Sequence, residues 1–273
     1  MFQSILANVR AQSPLVHNIT NYVTANDCAN VVLACGASPI MADDPGEAEE
    51  ITALCAGLNL NIGTLNSRTL PSMVLAGRTA RRLGLPVVLD PVGAGASRMR
   101  TAAALELLQQ VGPTVIRGNI SEIRTLAAGS GTTKGVDAAP DQKITEETLA
   151  EAAAFVKGFA ARTGAVIAVT GAIDIVADGR QAFCIRNGHP MMSRVTGTGC
   201  QLSALTAAFC AANPARPLEA AAAAVCAMGL AGEIAHRRLG PLDGSATYRT
   251  YIIDAISNMT PQQLEEGARY EMR

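Results

Sequence analysis

A short glycine turn ahead of an apolar helix is the part of the chain best suited to chemistry. Gly197-Thr198-Gly199-Cys200 leads directly into the apolar run 202–209. Glycine lets the backbone approach a ligand closely, and the first N–H groups of a helix point outward without helical partners. The turn therefore predicts an anion cradle formed by Gly197, Thr198 and Gly199. A Gly-x-Gly turn alone is equally compatible with an ordinary tight helix start.

Cys200 stands at the first residues of that predicted helix. The helix dipole and the nearby N–H groups are expected to favour its thiolate form. A thiolate there suits three roles: a nucleophile, a general base, or part of a cradle for developing charge. The alternative is a buried, inert cysteine, but the position of Cys200 inside a glycine turn favours a functional role.

Two familiar nucleotide-binding motifs do not match this turn. In the dinucleotide fingerprint Gly-x-Gly-x-x-Gly, Leu202 occupies the place of the third glycine, and the turn lies late in the chain. The phosphate-binding loop is excluded because the sequence contains no Gly-Lys-Ser or Gly-Lys-Thr. If ATP binds, it binds by another architecture.

Two carboxylates and an arginine sit where predicted strands end. Asp90 closes an apolar run and precedes a glycine-rich loop, whereas Glu122 follows Arg117-Gly118-Asn119 and opens a helix. One carboxylate from each of two strand ends suits Mg²⁺, which takes few protein ligands and keeps several waters. Arg117 beside them is suited to neutralise phosphate charge. The alternative for Glu122 is a favourable interaction with the dipole of its own helix.

Short apolar runs alternate with amphipathic segments over the first two-thirds of the chain. This alternation predicts a parallel sheet covered by helices on both faces, an α/β fold. The predicted strands are 38–41, 58–62, 85–90, 114–117 and 165–170, and the predicted helices are 46–56, 71–83, 100–111, one from 121, and 145–162. Runs 173–176 and 181–185 then predict hairpin strands with Asp178-Gly179 and Asn187-Gly188 turns. Three final helices are predicted from about Thr198, Leu218 and Gly244.

Ligands of open parallel sheets bind beyond the carboxyl ends of the strands. This rule selects Met41, Asp90, Arg117, Thr170 and the Gly197 turn as candidate site residues. Residues 129–142 are rich in Gly, Thr, Asp and Pro and predict an exposed loop inside one domain, because the alternation resumes beyond them. We therefore expect a single domain over residues 1–273.

Composition narrows the function classes. The net charge is −1 and shows no basic stripe, so no nucleic-acid partner is expected. Seven cysteines form no Cys-x-x-Cys pair, which favours free thiols in the cytoplasm. The N-terminus does not resemble a signal peptide, and the apolar stretch 218–230 is judged too short and too weakly apolar to span a membrane. Among the histidines, His17 has the strongest claim to a site role; His189 and His236 are expected to be structural.

Several segments together resemble the hydroxyethylthiazole kinase family, in consistent order from about residue 14 to residue 256. The block from Pro14 to Asn21 is the most specific, and the others are shared more widely with ribokinase-like kinases. The matching segments are Pro14-Leu15-Val16-His17-Asn18-Ile19-Thr20-Asn21, Gly36-Ala37-Ser38-Pro39-Ile40-Met41, Asp90-Pro91-Val92-Gly93-Ala94-Gly95, Asn119-Ile120-Ser121-Glu122 and Gly197-Thr198-Gly199-Cys200.

The resemblance implies a ribokinase-like three-layer fold and ATP-dependent phosphorylation of the primary hydroxyl of 4-methyl-5-(2-hydroxyethyl)thiazole, for thiamine biosynthesis or salvage. It also implies Mg²⁺, a cytoplasmic location, and a homotrimer with substrate sites between subunits. Carried over by motif, the implied roles are thiazole binding by Asn21, Met41 and Gly197, ATP binding by Arg117 and Thr170, metal binding by Asp90 and Glu122, and catalysis by Cys200.

The sequence departs from the wider ribokinase-like group at one position. That group usually carries Asp as general base at the end of Gly-x-Gly-Asp, whereas this chain has Cys200, as thiazole kinases do. Three other functions stay open at this point. They are an ATP- or ADP-dependent dehydratase of hydrated NAD(P)H, a thiol-dependent hydrolase or acyl transferase, and a non-catalytic nucleotide sensor.

Overall fold

A computed structural model describes residues 1–129 and 143–273. Their strands form one nine-stranded sheet in the order β2-β1-β3-β4-β5-β6-β7-β8-β9. The predicted loop 129–142 lies, beyond its first residue, outside the described residues. The strands are β1 Leu15–Ile19, β2 Ser38–Met41, β3 Gly57–Asn61, β4 Val87–Asp90, β5 Val115–Asn119, β6 Val166–Thr170, β7 Asp174–Ala177, β8 Ala182–Ile185 and β9 Tyr270–Met272.

The first six strands are parallel, so their carboxyl ends meet at one edge of the sheet. The register pairs Asn61 of β3 with Asp90 of β4, and Asn119 of β5 with Thr170 of β6. These polar residues end strands whose preceding residues are mostly apolar and buried. The sheet therefore gathers polar side chains from neighbouring strands in one place, as its topology requires.

Helices cover both faces of the sheet, which confirms the α/β fold with helical layers on either side. One apolar core lies under α1, α2, α8, α9, α10 and α11, and the other lies under α3 to α7. The helices are α1 Phe2–Gln12, α2 Ala25–Cys35, α3 Ala48–Leu54, α4 Thr69–Leu83, α5 Arg98–Val111, α6 Ile120–Gly129, α7 Leu149–Thr163, α8 Thr198–Ala212, α9 Pro217–Arg238, α10 Ser245–Asn258 and α11 Pro261–Gly267. A short 3-10 helix, Pro190–Arg194, precedes α8.

Strands β7 to β9 are antiparallel, as predicted for the first two, but the expected Asn187-Gly188 hairpin turn is wrong. After β8 the chain leaves the sheet, and the C-terminal β9 pairs with β8 instead. The Asn187 amide holds this arrangement, because it donates to the carbonyl of Gly267 at 2.9 Å and accepts from the backbone N–H of Arg269 at 2.7 Å.

The small residues of α8 and α9 allow these helices to pack closely in the core. Every residue of α8 from Gln201 to Ala212 is buried. The apolar stretch in α9 belongs to a helix of 22 residues that is long and apolar enough to cross a membrane, so the expectation that it is too short is wrong. Its most apolar window is 83% buried inside the protein, however, which is the behaviour of a core helix.

Close packing between α4 and α5 depends on Gly77, where an added Cβ would overlap the side chain of Val111. We predict that Gly77→Ala lowers the free energy of unfolding by about 1–3 kcal/mol because the core is overpacked. Gly158→Ala in α7 is the matched control, since nothing lies within 4 Å of its added Cβ. That variant should gain about 0.5–1 kcal/mol from helix propensity. Urea unfolding measures the free energy of unfolding of both variants, and equal changes in the two would contradict the close packing at Gly77.

Candidate active site

The glycine turn starts α8 and faces two side chains from the sheet side. Gly197 has a φ of 89° and N-caps the helix, and a Cβ there would overlap Thr24 Cγ2. A Cβ at Gly199 would lie 2.6 Å from Nη1 of Arg117. Gly197 therefore requires glycine for its left-handed backbone, whereas a side chain at Gly199 would push the Arg117 guanidinium aside. The structure brings the predicted cradle directly against Arg117.

Asn21 and Asn61 link Cys200 to the sheet. Asn21 Nδ2 donates to Cys200 Sγ at 3.2 Å and to Asn61 Oδ1 at 2.9 Å. Burial raises the pKa of the Cys200 thiol, and the negative charge of Asp90 raises it further. The expected preference for thiolate is therefore wrong, because loss of water around the sulfur outweighs the hydrogen bonds from Thr24, Asn61 and Asn21.

Asp90 is fully buried and receives donors from three elements. Its Oδ2 accepts from Asn61 Nδ2 at 2.7 Å and from Ser203 Oγ at 2.7 Å, and lies 3.5 Å from Arg117 Nη1. Burial raises the pKa of Asp90 to about 6, Arg117 opposes this, and Glu122 adds to it. Among residues 1–129 and 143–273, Asp90 Oδ1 has no hydrogen-bond partner. One oxygen of this carboxylate is thus available to a ligand or a proton.

Arg117 connects this carboxylate to the end of β6. Its Nη2 donates to Thr170 Oγ1 at 2.5 Å, while its Nη1 faces Asp90. Its buried Nε–H has no partner within the described residues. A guanidinium between a helix start and a strand end, with a donor to spare, is suited to a phosphate group.

Glu122 is only partly buried and binds backbone N–H groups with both of its oxygens. It accepts from Gly93 at 2.8 Å and from Asn119 at 2.9 Å, while Asn119 Oδ1 accepts from the Glu122 N–H. It therefore orders the glycine loop after β4 and caps α6. In the described part of the chain, no three His, Cys, Asp or Glu side chains cluster as a metal site. Two carboxylates with waters completing the shell still suit Mg²⁺.

A cavity of about 180 Å³ opens beyond the carboxyl ends of β1, β2 and β3. Met41 lines it, together with Tyr22 and Asn61. Asn21 is not among its lining residues, because it is buried behind the cavity and bonded to Asn61. The cavity is therefore connected to Cys200 through the two asparagine amides.

His17 has no part in this site. The ring is fully buried, with Nδ1 at 2.9 Å from Thr52 Oγ1 and Nε2 at 2.7 Å from the Ala42 carbonyl oxygen. Burial lowers its pKa, so the neutral ring fastens β1 to its neighbours. The presence of a histidine at position 17 is therefore explained by packing, and the expectation of a site role for His17 is not supported.

Known proteins share the whole of this architecture. A family model described as the hydroxyethylthiazole kinase family matches residues 6–262. A hydroxyethylthiazole kinase of Clostridium acetobutylicum is 59% identical over 271 residues, which cover 99% of each chain. The solved structure of a hydroxyethylthiazole kinase from Pyrococcus horikoshii has a TM-score of 0.88 at 38% identity, covering 100% of this chain and 98% of that one.

The chain belongs to the hydroxyethylthiazole kinase family. The resemblance found in the sequence is thereby confirmed. A ribokinase-like superfamily protein from Enterococcus faecalis has a TM-score of 0.62 at 14% identity and covers 98% of this chain and 95% of that one. At that identity the likeness concerns the fold alone, and it confirms the ribokinase-like architecture.

Three polar residues of this thiazole kinase site were missed in the sequence. Asn61 and Ser203 bind Asp90, and Thr24 holds Asn21 and packs against Gly197. Asn61 had a usable signal, since it is a polar residue at the carboxyl end of an apolar run. Ser203 lies inside the apolar run of α8, where only the fold shows that it faces a carboxylate.

The thiazole kinase should show two aspartates with unusually high pKa values. Burial raises the pKa of Asp90 to about 6 and that of Asp174 to about 7, although the Asp174 residue as a whole is only partly buried. We predict that Ser203→Ala raises the Asp90 midpoint, because the carboxylate loses a donor. The Asp174 midpoint should not move, because Ser203 is not among the groups that shift it.

Carbon-13 NMR of the aspartate carboxyl carbons measures both midpoints in one titration. Asp90→Asn identifies the lower of the two signals by removing it. An unchanged Asp90 midpoint in Ser203→Ala would contradict the role given to this hydrogen bond.

Proposed function

We propose that the chain transfers the γ-phosphoryl group of ATP to the primary hydroxyl of 4-methyl-5-(2-hydroxyethyl)thiazole, for thiamine biosynthesis or salvage. The products are ADP, the thiazole phosphate and one proton. The observation that carries this proposal is family membership over nearly the whole chain, with Arg117 and Asp90 meeting the start of α8. Kinase chemistry makes ATP the co-substrate.

We propose that the thiazole occupies the cavity beyond β1, β2 and β3. Met41 supplies an apolar contact there, and Asn61, which is bonded to Asp90, presents a polar edge. Asn21 acts from behind the cavity, through its bonds to Asn61 and Cys200. Gly197, which has no side chain and N-caps α8, is assigned to face the reacting hydroxyl.

The phosphates of ATP are assigned to Arg117, Thr170 and the N–H groups of residues 197–199. Arg117 has an unused buried Nε–H in the described structure, and its guanidinium lies against Gly199. Phosphoryl transfer depends mainly on positioning and on stabilising charge. A helix start backed by a guanidinium supplies both without a Gly-Lys-Ser loop.

We assign Mg²⁺ to Asp90 and Glu122. Asp90 has a free oxygen among the described residues, and each Glu122 oxygen uses only one lone pair on a backbone N–H. Glu122 also raises the pKa of Asp90, so the two negative charges act on one another. When bound, the ion neutralises charge on the transferring phosphoryl group. The two carboxylates would hold it, and Glu122 also keeps the glycine loop after β4 in place.

Cys200 is proposed to receive the hydroxyl proton late in the reaction. Its raised pKa makes the thiolate a minor form at neutral pH. Most of the rate is therefore assigned to the N–H cradle and Arg117, and the minor thiolate form of Cys200 accepts the proton, becoming a thiol, once the new phosphorus–oxygen bond has formed.

ADP release with the thiazole alcohol, with and without Mg²⁺, tests this reaction. We predict that Cys200→Ala lowers kcat by about 10²- to 10⁴-fold, whereas Cys200→Asp stays within about tenfold, because a carboxylate also accepts a proton. Both variants should need Mg²⁺. Full activity of Cys200→Ala would remove the residue from proton transfer. ADP release with hydrated NADH in place of the alcohol would instead indicate a dehydratase.

We further propose a cytoplasmic homotrimer of single-domain chains, with sites between subunits. Exposed apolar side chains beside the cavity support the assembly: Tyr22 is 80% exposed, Val23 58% and Met41 40%. The single sheet supports one domain, and the seven free cysteines suit a reducing compartment.

Val23→Glu tests the assembly, because a carboxylate desolvated in an interface costs several kcal/mol. We predict dissociation to monomers together with loss of most thiazole kinase activity. Leu54→Glu is the control, since Leu54 is also exposed but lies at the end of α3, before the amino end of β3. Sedimentation velocity measures the mass. A native chain that sediments as a monomer, or a Val23→Glu trimer, would overturn the assignment.

A further inference from the structure

Two buried asparagine amides join Cys200 to Asp90. Asn21 Nδ2 donates to Cys200 Sγ and to Asn61 Oδ1, and Asn61 Nδ2 donates to Asp90 Oδ2 at 2.7 Å. Asn21 is 4% exposed and Asn61 1%. We refer to Asn21 and Asn61 as the amide pair. Its two outer ends carry the acceptors that the reaction uses.

Backbone donors fix the direction of both amides. The Thr24 N–H lies 3.1 Å from Asn21 Oδ1, and the Thr24 hydroxyl donates to the same oxygen at 3.0 Å. The Gly63 N–H donates to Asn61 Oδ1 at 2.9 Å. A backbone N–H can only donate, so in each amide the oxygen faces the backbone and the NH₂ group faces the site. Asn61 cannot turn over without taking the acceptor from the Gly63 N–H, and Asn21 cannot turn over without setting its own oxygen against Asn61 Oδ1.

We propose that Asn61 is a positioning residue for the phosphoryl transfer, which holds the Asn21 amide on Cys200 while holding its own amide on Asp90. The proposal rests on the roles given above to Cys200 and Asp90. Asn61 accepts from one amide and donates to a carboxylate, and hydrogen bonds arranged head to tail in this way strengthen one another in a low-dielectric interior.

A comparison within β3 separates this role from ordinary packing. Asn59 lies two residues earlier on the same face and is also fully buried. Its Nδ2 donates to Asn18 Oδ1 at 3.1 Å, and its Oδ1 has no partner among the described residues. Asn61, in contrast, has its oxygen and its NH₂ group engaged and also lines the cavity. Only Asn61 touches both the cavity and the charged group.

The amide pair acts on the Cys200 thiol. Burial and the negative charge of Asp90 raise the pKa of this thiol, and hydrogen bonds from Thr24, Asn61 and Asn21 lower it. The other charged or titratable groups around Cys200 and Asp90 are Arg117 on β5, Glu122 on α6 and Cys28 on α2. A substitution at Asn61 leaves all three in place.

Asn61→Leu should remove both bonds while keeping the number and branching of the side-chain heavy atoms. Of the seven cysteines, all within the described residues, Cys200 alone is not buried, so iodoacetamide alkylation reads its thiolate directly. We predict an alkylation rate at pH 8 about tenfold lower, as expected for loss of one hydrogen bond to a charged group. The kcat value should also fall by about tenfold, while KM for ATP changes less than about twofold.

Asn59→Leu is the matched control, because it places the same side chain on the same face of the same strand. It should leave the alkylation rate and kcat within about twofold of the native values. Equal effects of the two substitutions, or no effect of Asn61→Leu on either measurement, would overturn the proposal.

Asn61→Asp covers the case in which the leucine variant does not fold. Its carboxylate keeps the shape of the amide and still accepts from Asn21 and Gly63, but it has no N–H to donate to Asp90. We predict that kcat at pH 8 falls by at least about tenfold, because a hydrogen bond to a charged group is lost, while KM for ATP changes less than about twofold. A native kcat in Asn61→Asp would contradict the proposal.

The alkylation measurement also keeps this inference separate from the proposed function, since it needs no turnover. If Asn61→Leu slows alkylation while Cys200→Ala keeps full ADP release, the positioning of the thiol stands and its catalytic role fails. If Asn61→Leu leaves the alkylation rate unchanged and Cys200→Ala is inactive, the catalytic role of Cys200 stands and the positioning role of Asn61 fails.

Discussion

The buried carboxylate of Asp90 is the constraint on which the site depends. An unpaired charge in an apolar interior is strongly unfavourable, so a buried carboxylate needs donors arranged around it. Here the donors come from the end of β3, the middle of β5 and the first turns of α8. These elements must therefore meet at one point. The same guanidinium that balances Asp90 also backs Gly199, which fixes where α8 begins relative to the sheet.

The partners of Asp90 do not cancel the effect of burial. Its pKa of about 6 lies above the ordinary value of 3.8, so the folded protein binds this proton more tightly than the unfolded chain does. Stability from this group is present below pH 3.8 and is lost as the pH rises through 6, on the order of 3 kcal/mol in total. The protein thus accepts a less stable ionised state at neutral pH, as is common where a charge serves function.

Periodicity predicted the parallel strands from β2 to β6 and the helices between them, because buried strands and helix faces leave clear apolar patterns. It did not predict β1, in which His17 and Asn18 are buried with polar partners, or β9, which depends on pairing with β8. The rule that ligands bind beyond the carboxyl ends of parallel strands selected Asp90 and Arg117 from the sequence. It did not select their partners Asn61 and Ser203, because a hydrogen bond between residues far apart in the chain leaves no local sequence pattern.

Cys200 shows the same limit in chemical terms. The sequence predicts its position at the start of a helix, and that position alone favours a thiolate. Burial of the sulfur depends on the whole fold, however, and it raises the pKa of the thiol instead. In a loose transition state the attacking oxygen keeps its proton until the bond to phosphorus is largely formed. A group that binds its proton tightly is then suited to accept one late, while fixed N–H groups and Arg117 act on charge from the start. The glycine turn therefore stabilises charge on the phosphoryl group throughout the transfer, whereas Cys200 takes up the proton only at its end.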